Sequence, residues 1–328
     1  MLTAGPPKII SVSVVKLGKE GRVMRLGSLL SCAAAAPLLM AASQPLRLQP
    51  STPWVVDYAE NSCRLIREFG SGNTKTLLSF ESDSPGDIDM LLIGRPLAST
   101  QDEVPVRFLP VEEQPQKGQA VKSTDKGEPG LLFSRVRLLP QDQIAKLDAR
   151  DAQIKAHPEA RPPATTVAED DERRAAEQEF ATKATELEID ARRGRPVILE
   201  TGSLGEPIKA FDKCSRDSLR DWGVDPDLQD KIVRSAWLEN RGSLIRSEEY
   251  PTKMLDEGEQ ADVKARVLVD ASGRVTKCTS LSHFKLPEFN KLVCDRITER
   301  ARFAPAELAD GTKVPSYDTV EINFRIAQ

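Results

Sequence analysis

Four cysteines give the clearest chemical signal in this sequence. Cys63, Cys214, Cys278 and Cys294 form an even set once Cys32, which lies in an N-terminal apolar segment, is set aside. Thiols of an exported protein are expected to oxidise, and four cysteines permit three pairings. The set therefore predicts two disulfide bonds, with four buried reduced thiols as the alternative.

Histidines and acidic clusters offer little further chemistry. His157 and His283 are the two histidines, and they do not cluster with the cysteines. No two cysteines have the C-x-x-C spacing that is typical of zinc sites. Nucleophilic attack by Cys294 with His283 as base would need a third group to orient the base, and a disulfide with Cys278 explains Cys294 better. The acidic run Asp170–Glu172 lies in polar sequence with little to desolvate it. We predict a protein that is not an enzyme and that uses no cofactor or metal.

The charge of the chain does not indicate a nucleic-acid partner. The chain carries 46 Lys and Arg against 50 Asp and Glu, and the two signs are mixed along its length. It therefore offers no basic stripe that could neutralise a run of phosphates. Its 328 residues are enough for two domains with separate cores. We expect two domains and no nucleic-acid binding.

An apolar segment near the N-terminus has the features of a signal peptide. Leu29–Ala42 is about fourteen residues long, whereas a membrane-spanning helix needs roughly twenty. Met24 and the following arginine would form the basic start, and the small residues before Gln44 suit cleavage. We predict a periplasmic protein that begins near Gln44, with the first twenty-three residues as an upstream extension. A lipoprotein signal at Cys32 and an uncleaved membrane anchor are the alternatives.

The first half of the mature chain has the pattern of short strands. Alternating apolar residues between Trp54 and Leu138 predict strands at Trp54–Tyr58, Cys63–Phe69, Thr76–Phe80, Ile88–Ile93 and Leu131–Leu138. The polar stretch Glu112–Gly130 between the last two predicts a long loop. This part is therefore expected to be rich in β-structure.

Helices are expected in the middle of the chain. Ala, Glu, Asp and Arg dominate Asp170–Arg193, which predicts an exposed helix, and Val197–Leu199 predicts a short strand. Gly205–Trp222 places its apolar residues on one side of a second helix. Asp230–Leu238 is predicted to be helical as well.

The C-terminal part has the clearest pattern. Alternating residues in Val263–Val269, a Gly273 turn and a second strand at Arg274–Leu281 predict a hairpin. Val275 and Cys278 have opposite parity, so both can face the core only across a bulge. A helix follows from Pro287. It would cover the second strand, which predicts a disulfide between Cys278 and Cys294 and leaves Cys63 to pair with Cys214.

A last strand is predicted at Thr319–Ile326. Its even-numbered residues Val320, Ile322, Phe324 and Ile326 are apolar and would face the helix. The other face would then carry Thr319, Glu321, Asn323 and Arg325.

This order of elements resembles the C-terminal domain of TonB-family proteins. The residues that carry the resemblance are Tyr250-Pro251, Val267–Asp270, Gly273–Val275, Arg302–Ala306, Gly311 and Ile322–Phe324. The resemblance covers about the last eighty residues. It implies a three-stranded antiparallel sheet with a helix packed on one face, which binds protein partners, notably short extended segments of outer-membrane receptors. The chain is therefore predicted to be α+β, with an extension and signal peptide (1–43), a β-rich domain with helices and a polar helical insertion (44–225) and a TonB C-terminal-like domain (226–328).

Several features of a TonB energy transducer are missing from the sequence. Such a transducer is anchored by an uncleaved membrane helix with a Ser/His pair, and a Pro-rich linker connects this helix to the C-terminal domain. Leu29–Ala42 contains no histidine, no Pro-rich tract follows it, and Ser282-His283 replaces the usual Ser-Gly after the second strand. We therefore predict a periplasmic binding module, with a transducer anchored by residues 24–43 as the alternative. A membrane is expected as a partner only if the protein is such an anchored transducer. The sequence does not decide whether the protein forms a homodimer.

The resemblance places the partner-binding edge on the last strand. We predict that a partner's extended segment adds to this strand by main-chain hydrogen bonds. Thr319, Glu321, Asn323 and Arg325 would then tune specificity, because residues of an added strand lie beside them. The alternative is an edge protected from aggregation by the charges of Glu321 and Arg325.

Overall fold

A computed structural model describes residues 44–122, 127–157, 160–191, 195–281 and 287–326 of the chain. The predicted signal segment, Cys32 and the Ser282-His283 pair lie outside these residues. None of the helices within the described ranges is long and apolar enough to cross a membrane.

The N-terminal region combines many strands with a few helices. Its strands are β1 (Leu46–Leu48), β2 (Val55–Tyr58), β3 (Cys63–Phe69), β4 (Thr76–Ser84), β5 (Asp87–Ile93), β6 (Glu103–Leu109), β7 (Gln116–Lys122), β8 (Pro129–Phe133), β9 (Glu186–Ile189) and β10 (Val197–Leu199). Its helices are α1 (Gln141–Ala156), α2 (Val167–Lys183), α3 (Gly205–Asp221) and the short α4 (Pro226–Gln229).

These strands form one ten-stranded sheet, ordered β1-β10-β9-β6-β7-β8-β5-β4-β3-β2. The chain directly after β1 returns to β3, because the Gly70 amide donates to the Gln49 carbonyl and the Ser51 amide donates to the Glu68 carbonyl, both at 2.8 Å. These bonds link the two ends of the sheet, which therefore closes on itself. Its core is aromatic and aliphatic, with Phe69, Phe80, Phe108, Leu65, Leu78 and Leu92 among the fully buried side chains.

Helix α3 packs against the closed sheet beside β2, β3 and β4. Its apolar side is buried, as the sequence predicts, through Ile208, Phe211 and Leu219. A disulfide bond joins Cys214 of the helix to Cys63 of β3, with 6.0 Å between their Cα atoms. The bond fixes the helix against the start of β3.

The C-terminal region has a second core. Its elements are β11 (Ile232–Arg234), β12 (Trp237–Leu238), α5 (Thr252–Asp256), β13 (Ala261–Val269), β14 (Val275–Ser280), α6 (Pro287–Arg300), β15 (Phe303–Ala304), β16 (Ala306–Leu308), β17 (Lys313–Val314) and β18 (Ser316–Phe324). The main sheet is three-stranded and ordered β14-β13-β18, with all pairs antiparallel. Short strands β11, β16 and β17 form a further sheet, and β12 pairs with β15.

Helix α6 covers one face of the three-stranded sheet. Phe289, Val293 and Ile297 of the helix are fully buried against Val263, Ala265 and Val267 of β13. Cys278 of β14 is bonded to Cys294 of α6, so the helix is also tied covalently to its sheet. The register of β13 with β14 shifts between Leu268 and Val269. This is the bulge that the opposite parity of Val275 and Cys278 predicts, and both residues contact the core.

Four expectations about local structure are wrong. The strand expected at Leu131–Leu138 ends at Phe133. Glu112–Gly130 is not a long loop, because it contains β7, which pairs with β6 and β8. The helix expected at Asp170–Arg193 ends at Lys183 and is followed by β9. Asp230–Leu238 is not helical and contains β11 and β12.

The physical reason for these differences is main-chain pairing with strands that are distant in the sequence. β7 has a polar sequence, but its main-chain groups are paired on both sides. Gly118 of β7 lies directly against the Phe133 ring, where a Cβ atom would come within 2.3 Å of the ring carbons. Tertiary contacts of this kind outweigh strand propensity.

Candidate partner-binding edge

Strand β18 has one paired edge and one open edge. Its nine residues pair with β13 from Ser316 opposite Val269 to Phe324 opposite Ala261. Within the described ranges, no strand pairs with its other edge. The strand begins earlier than the predicted Thr319 and ends before Ile326.

The two faces of β18 differ as the sequence predicts. Val320 and Phe324 are buried, and the Phe324 ring lies 4.4 Å from the Phe289 ring of α6. On the opposite face, Glu321 and Asn323 are exposed and Thr319 is half-buried. The apolar face fixes the strand on its core, while the polar face stays accessible at its C-terminal end.

The main-chain groups of the exposed residues point to the open edge. The Thr319 amide donates to its neighbour's side chain, Asp318 Oδ1, at 2.9 Å, so this amide points away from β13. The main-chain N–H and C=O groups of successive residues in a strand point alternately to its two edges, so those of Glu321 and Asn323 point the same way as those of Thr319. Each of them offers one N–H and one C=O group along the open edge.

The side chains of the predicted site residues have different surroundings. Thr319 Oγ1 lies 3.0 Å from Ser84 Oγ, and Glu321 lies 3.9 Å from the Arg135 guanidinium. Arg325 follows the end of the strand and donates to Asp262 and to the Ala261 carbonyl. Thr319, Glu321 and Arg325 thus contact other parts of the same chain, and Glu321 and Asn323 are the exposed residues of this face within β18 itself.

The end of β4 and the residue Asn61 before β3 lie on the outer face of the same sheet. Asp83 accepts from the Lys264 ammonium at 2.9 Å, and both side chains are mostly buried. The Arg266 guanidinium donates to the Asp83 carbonyl at 3.0 Å and to the Asn61 main chain and side chain. It also lies 3.4 Å from the Trp222 ring centre. These contacts cover the middle of β13 and the start of β18.

Burial affects the ionisation of two residues near this contact. Desolvation lowers the pKa of Arg266 to about 10, so the guanidinium keeps its charge at neutral pH. Burial raises the pKa of Asp318 to about 6, and the Arg241 guanidinium, 4.0 Å away, opposes that rise. Asp318 Oδ2 is buried without a hydrogen-bond partner among the described residues. Burial at the start of β18 therefore destabilises the ionised form of Asp318.

The sequence identifies the β18 residues but not their neighbours. Asn61, Asp83, Trp222 and Arg266 are far apart in the chain, and no local spacing indicates that they meet. The alternation of Lys264 and Arg266 with buried valines was the one available signal, because it predicts that both side chains share the outer face. Both disulfide bonds join the cysteines that the sequence analysis pairs.

Comparison with known proteins gives a match in this region. No curated protein shows significant similarity to the chain. The family model described as "Gram-negative bacterial TonB protein C-terminal" matches residues 246–326, which include α5, the three-stranded sheet and α6. That family is a non-enzymatic protein-interaction domain associated with the cell envelope. Residues 246–326 are therefore the part of this chain that carries similarity to the TonB C-terminal family.

Proposed function

We propose that the C-terminal region binds an extended segment of a protein partner by strand addition to the open edge of β18. The observation that carries this proposal is the outward orientation of the Glu321 and Asn323 main-chain groups on a strand paired on one side. An added strand would satisfy these groups, while side chains beside Glu321 and Asn323 would give specificity. The family match supports a protein partner, and a segment of an outer-membrane receptor is the candidate.

The accessible part of the edge limits the length of the bound segment. Thr319 contacts Ser84, the last residue of β4, and Arg325 donates to Asp262. The partner would therefore pair with the stretch between them, centred on Glu321 and Asn323. A segment of about five residues would span this stretch at roughly 3.4 Å per residue.

The Asn323 amide provides a sharp test. Asn323→Pro removes one outward N–H group without removing a bond to β13, because proline is tolerated where a strand faces an open edge. Asn323→Ala keeps the amide and is the matched control. With a labelled receptor-derived peptide, we expect the proline variant of the full chain to bind at least about fivefold more weakly, since one hydrogen bond contributes about 1 kcal/mol. The alanine variant keeps the outward amide and should therefore bind the peptide more tightly than the proline variant.

Amide shifts of the isotope-labelled chain locate the same site directly. Titration with the peptide should move the Glu321 and Asn323 signals first. Shifts confined to Pro287–Arg300 would place the partner on α6 and reject the proposal. Equal binding by the proline and alanine variants would also reject strand addition.

We further propose that the chain is exported to the periplasm and that residues 44–225 and 226–328 are its two domains. The apolar segment Leu29–Ala42 and the two disulfide bonds support export. The pairing of β11 with β16 and of β12 with β15 supports a boundary before Ile232. N-terminal sequencing of periplasmic and membrane fractions tests export. An intact chain in membranes would favour the anchored transducer.

A further inference from the structure

An extended segment between α1 and α2 lies along the outer edge of β11. The Thr165 amide donates to the Val233 carbonyl of β11 at 2.8 Å. Strand β11 is the edge of its small sheet, which continues through β16 to β17. The segment therefore occupies an edge that would otherwise be open, although it comes from a different part of the chain.

Arg161 anchors this segment by its side chain. Its Nη2 donates to the carbonyls of Ser235 at 2.8 Å and Pro305 at 2.7 Å, and its Nη1 donates to Glu307 Oε1 at 2.9 Å. The Arg161 side chain is 19% exposed. Two carbonyls and one carboxylate thus form an acceptor pocket that fits a guanidinium, whose donors have fixed planar geometry.

The residues between the two contacts favour an extended conformation. Pro162 and Pro163 follow Arg161 in the chain. Proline restricts the backbone before binding, so an extended Pro-rich segment loses less conformational entropy when it docks. The two prolines also have no N–H group. This explains why one main-chain bond and one arginine carry the contact.

The site does not satisfy every donor of its occupant. Arg161 Nε is buried without a hydrogen-bond partner among the described residues. A buried unpaired donor opposes docking, and the rest of the segment from Pro163 to Ala164 is exposed. The contact therefore has the features of a docked peptide rather than of a core element.

We propose that the β11 edge and the pocket around Glu307 form a second peptide-binding site, which takes an extended, arginine-bearing protein segment and which residues 161–165 occupy within the same chain. A tethered occupant has an effective concentration on the order of millimolar, so it excludes weaker external segments. The site does not depend on β18. A partner segment with an arginine followed by prolines would compete for the same acceptors.

Peptide binding to variants of the full chain tests this site. The probe is a fluorescent synthetic peptide with the sequence of residues 160–166, measured by anisotropy. Arg161→Ala removes the anchor of the internal occupant, so this variant should bind the probe at least tenfold more tightly than wild type. Adding Glu307→Gln to it removes the charge of the pocket and should weaken binding at least tenfold. A probe with citrulline in place of arginine should also bind at least tenfold more weakly.

The control variant is Arg95→Ala, which removes an exposed arginine bonded to Asn73 in the N-terminal region. It should bind the probe no more tightly than wild type. A folded Arg161→Ala variant that gains no affinity, or that binds the citrulline probe equally well, overturns the proposal. If Arg161→Ala fails to fold, Thr165→Pro replaces it, because this variant removes the donor to Val233. Loss of that one hydrogen bond weakens the internal occupant by about 1 kcal/mol, so a gain of about fivefold in probe affinity is expected from this variant in place of the tenfold gain. The presence or absence of that gain then decides.

Discussion

The ten-stranded sheet and the three-stranded sheet β14-β13-β18 differ at their edges. The ten-stranded sheet closes because the chain directly after β1 bonds to the end of β3, the strand next to the other end of the sheet. The three-stranded sheet leaves one edge of β18 unpaired within the described residues, although α6 packs on one face of the sheet and the end of β4 contacts the other. A closed sheet avoids the exposed main-chain groups that promote association, whereas an open edge keeps them. The comparison therefore separates a sheet whose two ends are joined from a sheet with an unpaired edge at β18.

Removal of each disulfide bond should give the largest difference between the two regions. Cys63 and Cys214 are 151 residues apart, whereas Cys278 and Cys294 are 16 apart. In the chain-entropy model, loss of the long-range bond costs about 5 kcal/mol of unfolding free energy and loss of the short-range bond about 3 kcal/mol. Urea denaturation of the two double alanine variants, each compared with the oxidised wild type, measures both values. A larger loss for the short-range bond would contradict the ranking.

The contact between the sheets should depend strongly on Arg266. Arg266→Ala leaves the carbonyls of Asn61 and Asp83 without their donor and removes the cation from the Trp222 ring. We expect a loss of about 3 kcal/mol in unfolding free energy. Arg274→Ala is the matched control, because the Arg274 side chain is 81% exposed. Thermal and urea unfolding would count against this contact if the two variants behaved alike.

Packing inside the closed sheet can be tested at Gly118. Gly118→Ala would place a methyl group against the Phe133 ring, and the ring must move to admit it. Overpacking of this kind costs about 2 kcal/mol. Gly242→Ala is a suitable comparison, since a Cβ atom there meets nothing within 4 Å. Equal midpoints in urea denaturation would show that the closed sheet is looser at β7 than the structure indicates.

Asp318 gives the smallest effect and the clearest pH dependence. Its folded pKa of about 6 lies above the ordinary value of 3.8, so the folded chain binds the extra proton between these values. Stability contributed by the protonated carboxyl is therefore lost as pH rises from about 4 to 6. Asp318→Asn should gain about 1–2 kcal/mol at pH 7 and nothing at pH 3.5. Urea denaturation across this range measures the difference, and a gain independent of pH would contradict the assignment.

The parts of the fold that could be predicted are those encoded by nearby residues. Alternation along β13 and β18, the bulge opposite Val269 and the apolar side of α3 all follow from local parity or helical spacing. The Cys278–Cys294 bond follows as well, because a helix must cover the adjacent strand. Contacts between residues that are far apart in the sequence are not indicated by any local pattern. Strand β7 has a polar sequence that forms a strand because of its neighbours, and the contact of Asp83 with Lys264 joins residues 181 positions apart.

The site was predictable only in part for the same reason. The sequence identifies the outward residues of β18 but cannot show that Thr319 contacts Ser84 or that Asp262 holds Arg325. It gives no indication that Arg161 docks on β11, since Arg-Pro-Pro resembles an ordinary polar linker. The alternation within one segment predicts which side chains face outward. Which of them contact another segment depends on the fold of both segments.

The Cys278–Cys294 bond also affects how the chain would respond to a protease. A single cut anywhere between these two cysteines leaves both fragments covalently joined. On a gel without reductant, the nicked protein should migrate as one chain, and reductant should separate it into two. The connection between β14 and α6 can thus be severed without release of the helix that covers the open sheet.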